Sequence, residues 1–267
     1  MRMPFVRLAP ALLLLPTLVA AAGCDIAMAD LKAKETAEWR KTYQLQPGQQ
    51  VQIDNVNGRI TVEPSVGNTV EIVAEKHARA ATVENAKEAL SRTEIAEDVS
   101  PARIKVETKH HRGAATLFGG SSVEVRYTVK VPAAADVKFT SVNGGIELTR
   151  LNGRITAETV NGGIAAREIG GSIDASTVNG GVDVDLLRVD DRGAKLGCTN
   201  GGIKLRLPAD ARANVSASVV NGGIDADGLG AIATIEKSRR RFEGRLNGGG
   251  PQIRLDGTNG GIRIASR

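Results

Sequence analysis

The residues best placed to do chemistry are acids that follow a repeated turn. "NGGVDVD" runs from Asn179 to Asp185 and "NGGIDAD" from Asn221 to Asp227, each with two carboxylates just beyond a glycine pair. Nonapeptide β-rolls hold calcium at such turns through a Gly-Gly-x-Gly-x-Asp pattern. Here Ile or Val stands where that pattern needs another glycine, and the equivalent acidic positions elsewhere become Lys204, Arg206 and Arg263, which would repel the ion. The phrases therefore read as structural turns, and no metal is expected. Only three histidines exist, His77, His110 and His111, and the adjacent pair falls in a loop-like stretch where a surface role outweighs chelation. No nucleophile elbow, metal-spaced His/Cys set or phosphate loop is present. The scattered acids leave room for a pair of carboxylates of the kind glycosidases use. The main expectation is nonetheless a chain that is not an enzyme and takes no cofactor.

The elements that must position these residues repeat at a nine-residue step. "SVNGGIELTRLNGRITAETVNGGI" covers Ser141 to Ile164. The turn residues read as Asn57 and Gly58, Asn143 and Gly144, Asn152 and Gly153, Asn161 and Gly162, and Asn179 and Gly180. They continue at Asn200 and Gly201, Asn221 and Gly222, and Asn259 and Gly260. Asn tolerates left-handed backbone and Gly accepts it freely, so the pair can reverse a chain. Gly170-Gly171 replaces Asn-Gly in one copy, which suggests that the backbone geometry outranks the amide.

Aligned by phrase, three columns stay apolar. They are Val142, Leu151, Val160, Ile169 and Val178; Ile146, Ile155, Ile164, Ile173 and Val182; and Leu148, Ala157, Ala166, Ala175 and Val184. All three are expected inside. Their constancy favours an all-β, solenoid-like stack in which two phrases complete a coil and like residues meet about 4.8 Å apart. Asn143, Asn152, Asn161 and Asn179 are then expected to form amide ladders at the corners. Wider spacing of the later phrases, at Asn200, Asn221, Asn247 and Asn259, predicts longer excursions, and "NGGGPQI" marks a terminal coil.

Ahead of the repeats, "SSVEVRYTVKVP" alternates as a strand with Val123, Val125, Tyr127, Val129 and Val131 on one face. Ile104 and Val106 sit in another alternating strand. One short helix is expected at "TVENAKEALSR", with Thr82 as N-cap and a stripe of Val83, Ala86 and Leu90. Gln46 to Val131, with that helix, is expected to cover one open end of the stack.

The first residues read as a leader. Arg2 and Arg7 flank a basic start, and an apolar run from Leu8 to Val19 is too short to span a bilayer. "AAGC" then places Cys24 as a lipidation site, favoured over cleavage after Ala29. Asp25 matches an inner-membrane retention signal, but which membrane it specifies depends on the organism. With Cys24 lipidated, Cys198 is a lone thiol; a Cys24–Cys198 disulfide is the rival arrangement. From Ala27 to Tyr43, helix formers and a Lys34/Glu38 pair predict a short tether helix, with Trp39 anchoring it to the first strands. The expected organisation is 1–23 signal peptide, 24–43 lipidated tether, 44–135 N-terminal β region with the inserted helix, and 136–267 repeat stack. Without Arg2 and Arg7 the charge nearly balances, so nucleic acid is not an expected partner. Arg239-Arg240-Arg241 is the only basic cluster, read as a solvated loop.

The Gly-Cys leader, "DLKAKETAEWRKTY", "NVNGRI", the repeated "VNGGI" and the terminal "GTNGGIRI" together resemble the bacterial putative-adhesin family with β-strand repeats, a domain of unknown function. The resemblance covers nearly all of the chain after the leader. It implies a cell-envelope location, a membrane held through the lipid anchor, and contacts with an envelope protein or cell-surface component. It supplies no catalytic residues. An envelope-stress accessory acting with a membrane regulator is the alternative it leaves open, followed by a polysaccharide-active β-helix enzyme.

Overall fold

The computed structural model describes residues 31–111, 120–226, 229 and 232–267. The leader, Cys24, the cleavage site after Ala29 and Asp227 lie outside the described residues. Strands β1 (Ala33–Gln44), β2 (Gln50–Asn57), β3 (Ile60–Ser65) and β4 (Thr69–Ala80) lead into helix α1 (Val83–Ser91). Next come β5 (Thr93–Val99), β6 (Arg103–His110) and β7 (Ser121–Pro132). The repeated phrases then pair off as β8 (Val137–Asn143) with β9 (Ile146–Thr149), and β10 (Ile155–Asn161) with β11 (Ile164–Ile169). The next pairs are β12 (Ile173–Asn179) with β13 (Val182–Leu186), and β14 (Ala194–Asn200) with β15 (Ile203–Leu207). The chain closes through β16 (Ala213–Asn221), β17 (Ile224–Asp225), β18 (Ile232–Lys237), β19 (Arg241–Leu246), β20 (Gln252–Asn259) and β21 (Ile262–Ser266).

These strands form two large open sheets. One runs β1-β4-β7-β3-β9-β11-β13-β15-β21-β17, the other β18-β19-β16-β20-β14-β12-β10-β8-β2-β6-β5. A phrase pair supplies one strand to each sheet, so the structural repeat is eighteen residues: Val137 lies beside Ile155, and Ile155 beside Ile173, in parallel register. We call each such pair of strands a tier. Ile155, Ile164, Ile173 and Val182, with Ala157, Ala166, Ala175 and Val184, line the interface between the sheets at 2% exposure or less. Apolar side chains stack closely on their own kind in that interface, while the alternate residues of each strand face outward.

Spatial order departs from chain order at the end. β20 lies between β14 and β16, and β21 between β15 and β17. The last phrase is therefore an inserted tier, not a terminal one. The end is covered instead by β19, antiparallel on β16, and by β18, antiparallel on β19.

At the other end the sheets stop at β1 and β5. Tyr43 donates to Glu97 at 2.7 Å and Lys41 reaches the same carboxylate at 2.8 Å, tying the two edges together. The tether-helix expectation is overturned here: Ala33–Gln44 is a strand, antiparallel to β4. Ala33, Glu35, Ala37 and Trp39 turn inward while Lys34, Thr36, Glu38 and Arg40 are exposed, a period of two that a helix cannot supply. A free edge on β4 outweighs helix propensity. Trp39 still packs on the core, from a strand. Coverage of this end by Gln46–Val131 holds for β5, but the edge of the other sheet belongs to β1.

The expected helix is present. Thr82 accepts from the Asn85 backbone at 3.2 Å, and Ala86 and Leu90 are buried against Ala78 and Ala80. Val83, expected in that stripe, is 41% exposed. No helix among the described residues is long and apolar enough to cross a membrane.

Candidate interaction surface

Three adjoining columns run along one corner of the tiers. The middle one is an amide ladder. Asn143 donates to Asn57 at 2.7 Å, Asn161 to Asn143 at 2.8 Å, and Asn179 to Asn161 at 2.9 Å. Asn200 then donates to Asn179 at 2.9 Å, Asn259 to Asn200 at 2.8 Å, and Asn221 to Asn259 at 2.9 Å. Every amide inside the ladder is donor to one neighbour and acceptor from the other, which aligns their dipoles along the stack. Of the four asparagines expected in the ladder, Asn143, Asn161 and Asn179 are in it and Asn152 is not; Asn57, Asn200, Asn259 and Asn221 extend it. Asn152 lies at the opposite corner, where its counterpart eighteen residues on is Gly170, which has no amide to receive its hydrogen bond.

The glycines meet two demands, for Gly58, Gly180, Gly201 and Gly260 have positive φ and the stacked tiers leave no space for a Cβ. A Cβ on Gly144 would lie 2.1 Å from the carbonyl oxygen of Gly58, on Gly162 2.2 Å from that of Gly144, and on Gly180 2.1 Å from that of Gly162. Each tier rests its backbone directly on the one below, leaving no room for a side chain. None of the ladder asparagines has positive φ; among the described non-glycine residues only Arg150, Glu168 and Asn247 do. The opposite corner thus turns on a left-handed Arg150 or Glu168, just ahead of Leu151 and Ile169.

That difference splits the first apolar column. Leu151 and Ile169 are fully buried, as expected, whereas Val142, Val160 and Val178 are each 41% exposed and Val220 is 58% exposed. The cause is the residue before them. Ser141, Thr159 and Thr177 take the inward position, and strand alternation then sends the valine out.

This inward polar column is a feature the phrase alignment missed. Thr159 donates to the Gly144 carbonyl at 2.9 Å, Thr177 to that of Gly162 at 2.8 Å, and the Cys198 thiol to that of Gly180 at 3.1 Å. Each closes a carbonyl that the stacked glycines bury. Ser141 has no partner, because the Gly58 carbonyl already receives the Asn55 amide at 3.0 Å. A polar residue two places before Asn57, Asn143, Asn161, Asn179 and Asn200 was the legible signal; Val219 and Gly257 hold that place before Asn221 and Asn259. Burial raises the Cys198 thiol above its ordinary pKa. At the first tier the column ends in a closed network. Tyr127 donates to Thr108 at 2.7 Å, Thr108 donates to Asn55 at 3.1 Å, and Asn55 donates to the Val125 carbonyl at 2.8 Å. Burial pushes the Tyr127 hydroxyl up to about 12.

Beyond the ladder, Gly145, Gly163, Gly181 and Gly202 floor a groove of about 490 Å³. Arg59, Glu147, Arg167, Asp183 and Lys204 wall it. Its acids are paired: Glu147 with Arg59 at 2.9 Å, and Asp183 with Arg167 and Arg206 at 2.8 and 2.9 Å. The hydrogen bond from Arg167 holds the Asp183 carboxyl below its usual range. Asp225 of the second acidic phrase is likewise paired, with Arg263 at 3.1 Å. Asp183 and Asp225, one acid from each of those phrases, are thus engaged by arginines. Among the described residues no group of His, Cys, Asp or Glu is arranged to hold a metal. His110 contacts the Thr93 hydroxyl at 3.2 Å and His111 meets Glu94 at 2.7 Å. Asn247 is anchored by its amide to the carbonyls of Ala209 and Ala211 and takes no part in the ladder. The Arg239–Arg241 cluster is an exposed turn whose Arg239 and Arg240 carbonyls receive the Ile224 and Val219 amides at 3.0 Å.

No protein-family profile and no curated protein matches the chain. Among solved structures it is similar to a putative cell adhesion protein from Clostridium sporogenes, at 11% identity and a TM-score of 0.46, over 86% of this chain and 100% of that one. A putative adhesin from Bacteroides fragilis matches at 10% identity and 0.39, over 86% and 97%. A putative lipid binding protein from Parabacteroides distasonis matches at 10% and 0.32, over 87% and 97%. The chain is thus similar to bacterial proteins described as putative adhesins, the class that its repeated phrases resemble.

Proposed function

We propose that this is a non-catalytic cell-envelope protein, built as a β-solenoid-like stack and anchored through Cys24, that presents a rigid strip for contact with an envelope protein or cell-surface component. One observation carries the reading. An uncharged strip of exposed valines, ladder asparagines and groove glycines extends along the stack, in a chain whose other outward columns are mostly charged or hydroxylated. Aligned apolar side chains exposed on a soluble face mark interaction sites. Hydrogen bonds between tiers hold the strip in one shape, so binding has little conformational entropy to lose.

The test is capture from intact envelopes with the purified chain, using Val160→Lys as the altered strip and Lys138→Glu as an outward change elsewhere. The expected result is that Val160→Lys loses the captured component while melting as the parent does, and Lys138→Glu keeps it. Capture that survives Val160→Lys would sink the role of the strip. A mature protein whose mass begins at Asp30 would separately end the lipid anchor.

A further inference from the structure

The ladder consists of Asn-Gly dipeptides, which carry a chemistry of their own. The backbone nitrogen of the glycine can attack the side-chain amide carbon of the asparagine. That nitrogen gives its proton to water, a new C–N bond closes a cyclic imide, and the amide nitrogen leaves as ammonia. Water then opens the imide at either carbonyl, leaving aspartate or isoaspartate. The reaction consumes one water, releases one ammonia, and needs neither oxidant nor enzyme.

Stacking blocks it at the interior tiers. The attacking nitrogen is tied at each one: Gly58 donates to the Asn143 carbonyl at 2.8 Å, Gly144 to Asn161 at 2.9 Å, and Gly162 to Asn179 at 2.8 Å. Gly180 donates to Asn200, Gly201 to Asn259 and Gly260 to Asn221, all at 2.9 Å. The carbon under attack is held as well, because the amides of Asn143, Asn161, Asn179, Asn200 and Asn259 both donate and accept within the ladder. A nitrogen that donates a hydrogen bond is less readily deprotonated, and a side chain clamped on both sides cannot rotate toward its own backbone.

Among the described residues the last tier lacks both locks. The capping segment offers carbonyls to Val219 and to Ile224, but none of the described residues accepts from Gly222, which lies between them. Asn221 donates its side-chain amide to Asn259, and its side-chain Oδ1 receives no hydrogen bond from the described residues. The residue is exposed, beside Val220. Two further Asn-Gly pairs lie off the ladder. At Asn152 the Gly153 nitrogen is held by the Ala133 carbonyl at 3.3 Å, and the Asn247 amide is pinned by two carbonyls.

We propose that Asn221–Gly222 is a site of spontaneous covalent modification, converting to aspartate and isoaspartate in the folded protein while the interior asparagines are protected. The product undoes the contact that held the residue. A carboxylate at 221 sets acceptor against acceptor at Asn259 Oδ1, and isoaspartate lengthens the backbone between β16 and β17, so the final tier loosens.

Ageing the full folded chain at mildly alkaline pH, followed by peptide mapping that separates aspartate from isoaspartate, tests this. Asn221 is expected to convert roughly tenfold faster than Asn161 or Asn179 for each hydrogen bond withheld from it, with Asn152 between them. In concentrated urea the rates should converge, since only the fold distinguishes the sites. An aged parent should melt lower than a fresh one, while aged Asn221→Gln keeps its melting temperature. Equal conversion of Asn161 and Asn221 in the folded chain overturns the proposal. So does a lead for Asn221 that persists in urea, or an Asn221→Gln variant that ages like the parent.

Discussion

The two corners of the stack are written in nearly the same phrase and obey different rules. At the ladder corner a buried threonine precedes an exposed valine, and the asparagine faces its own copies. At the opposite corner a left-handed Arg150 or Glu168 precedes a buried Leu151 or Ile169, and Gly170 replaces the asparagine. One left-handed residue moves the following side chain from solvent to core. The amide is therefore structural at one corner and dispensable at the other, while a stacked glycine is needed at both: Gly171 lies over Gly153 as Gly162 lies over Gly144.

The strongest test of that shared glycine rule is Gly162→Ala. The new methyl would meet backbone 2.2 Å away, so the loss should reach about 3 kcal/mol, read by urea unfolding. Gly170→Ala should cost much less, about 1 kcal/mol or under, because the obstructing atom is the free end of the Asn152 side chain. Equal losses would break the comparison. Next in size is Thr159→Val, which keeps the shape and leaves the Gly144 carbonyl unpaired; a loss of about 1–2 kcal/mol is expected. Cys198→Thr should go the other way by about 0.5 kcal/mol, a hydroxyl being the better donor to Gly180.

The amides come third. Asn161→Ala interrupts two ladder hydrogen bonds and should lower stability by about 1 kcal/mol, against less than about 0.5 kcal/mol for Asn152→Ala. The smallest effect belongs to Asp183 at the groove wall. Arg167 holds its carboxyl below the usual range, so its contribution is present above the unfolded carboxylate pKa of about 3.9 and is lost as pH falls through the folded value. Asp183→Asn should flatten that acid limb slightly, within about 0.5 kcal/mol, and high salt should erase the difference because the pair is partly exposed.

Much of this architecture was legible before any coordinates. Ile146, Ile155, Ile164 and Ile173 recur at a fixed step, and only a structure that brings copies together gives such constancy a purpose. The helix at Val83–Ser91 followed from Thr82 and its apolar stripe, because capping is local. The first strand was misread because Lys34, Glu38 and their neighbours favour a helix in isolation, and only the free edge of β4 makes a strand the better choice. Val142, Val160 and Val178 point outward, against expectation, because Ser141, Thr159 and Thr177 take the inward place before them, whereas a left-handed Arg150 or Glu168 turns Leu151 or Ile169 inward.

Sequence by itself determined the β character, the period and the glycines, since local propensity and repetition act within a few residues of chain. Only the tertiary structure decided that β20 and β21 slip between earlier tiers, that Asn221 ends the ladder and that Asn152 never joins it. The tiers share one set of columns, so the last phrase and the one before it fit the same slot. Which takes it depends on the crossing of residues 208–212 and on the cap that β19 and β18 lay over the end, contacts between distant parts of the chain.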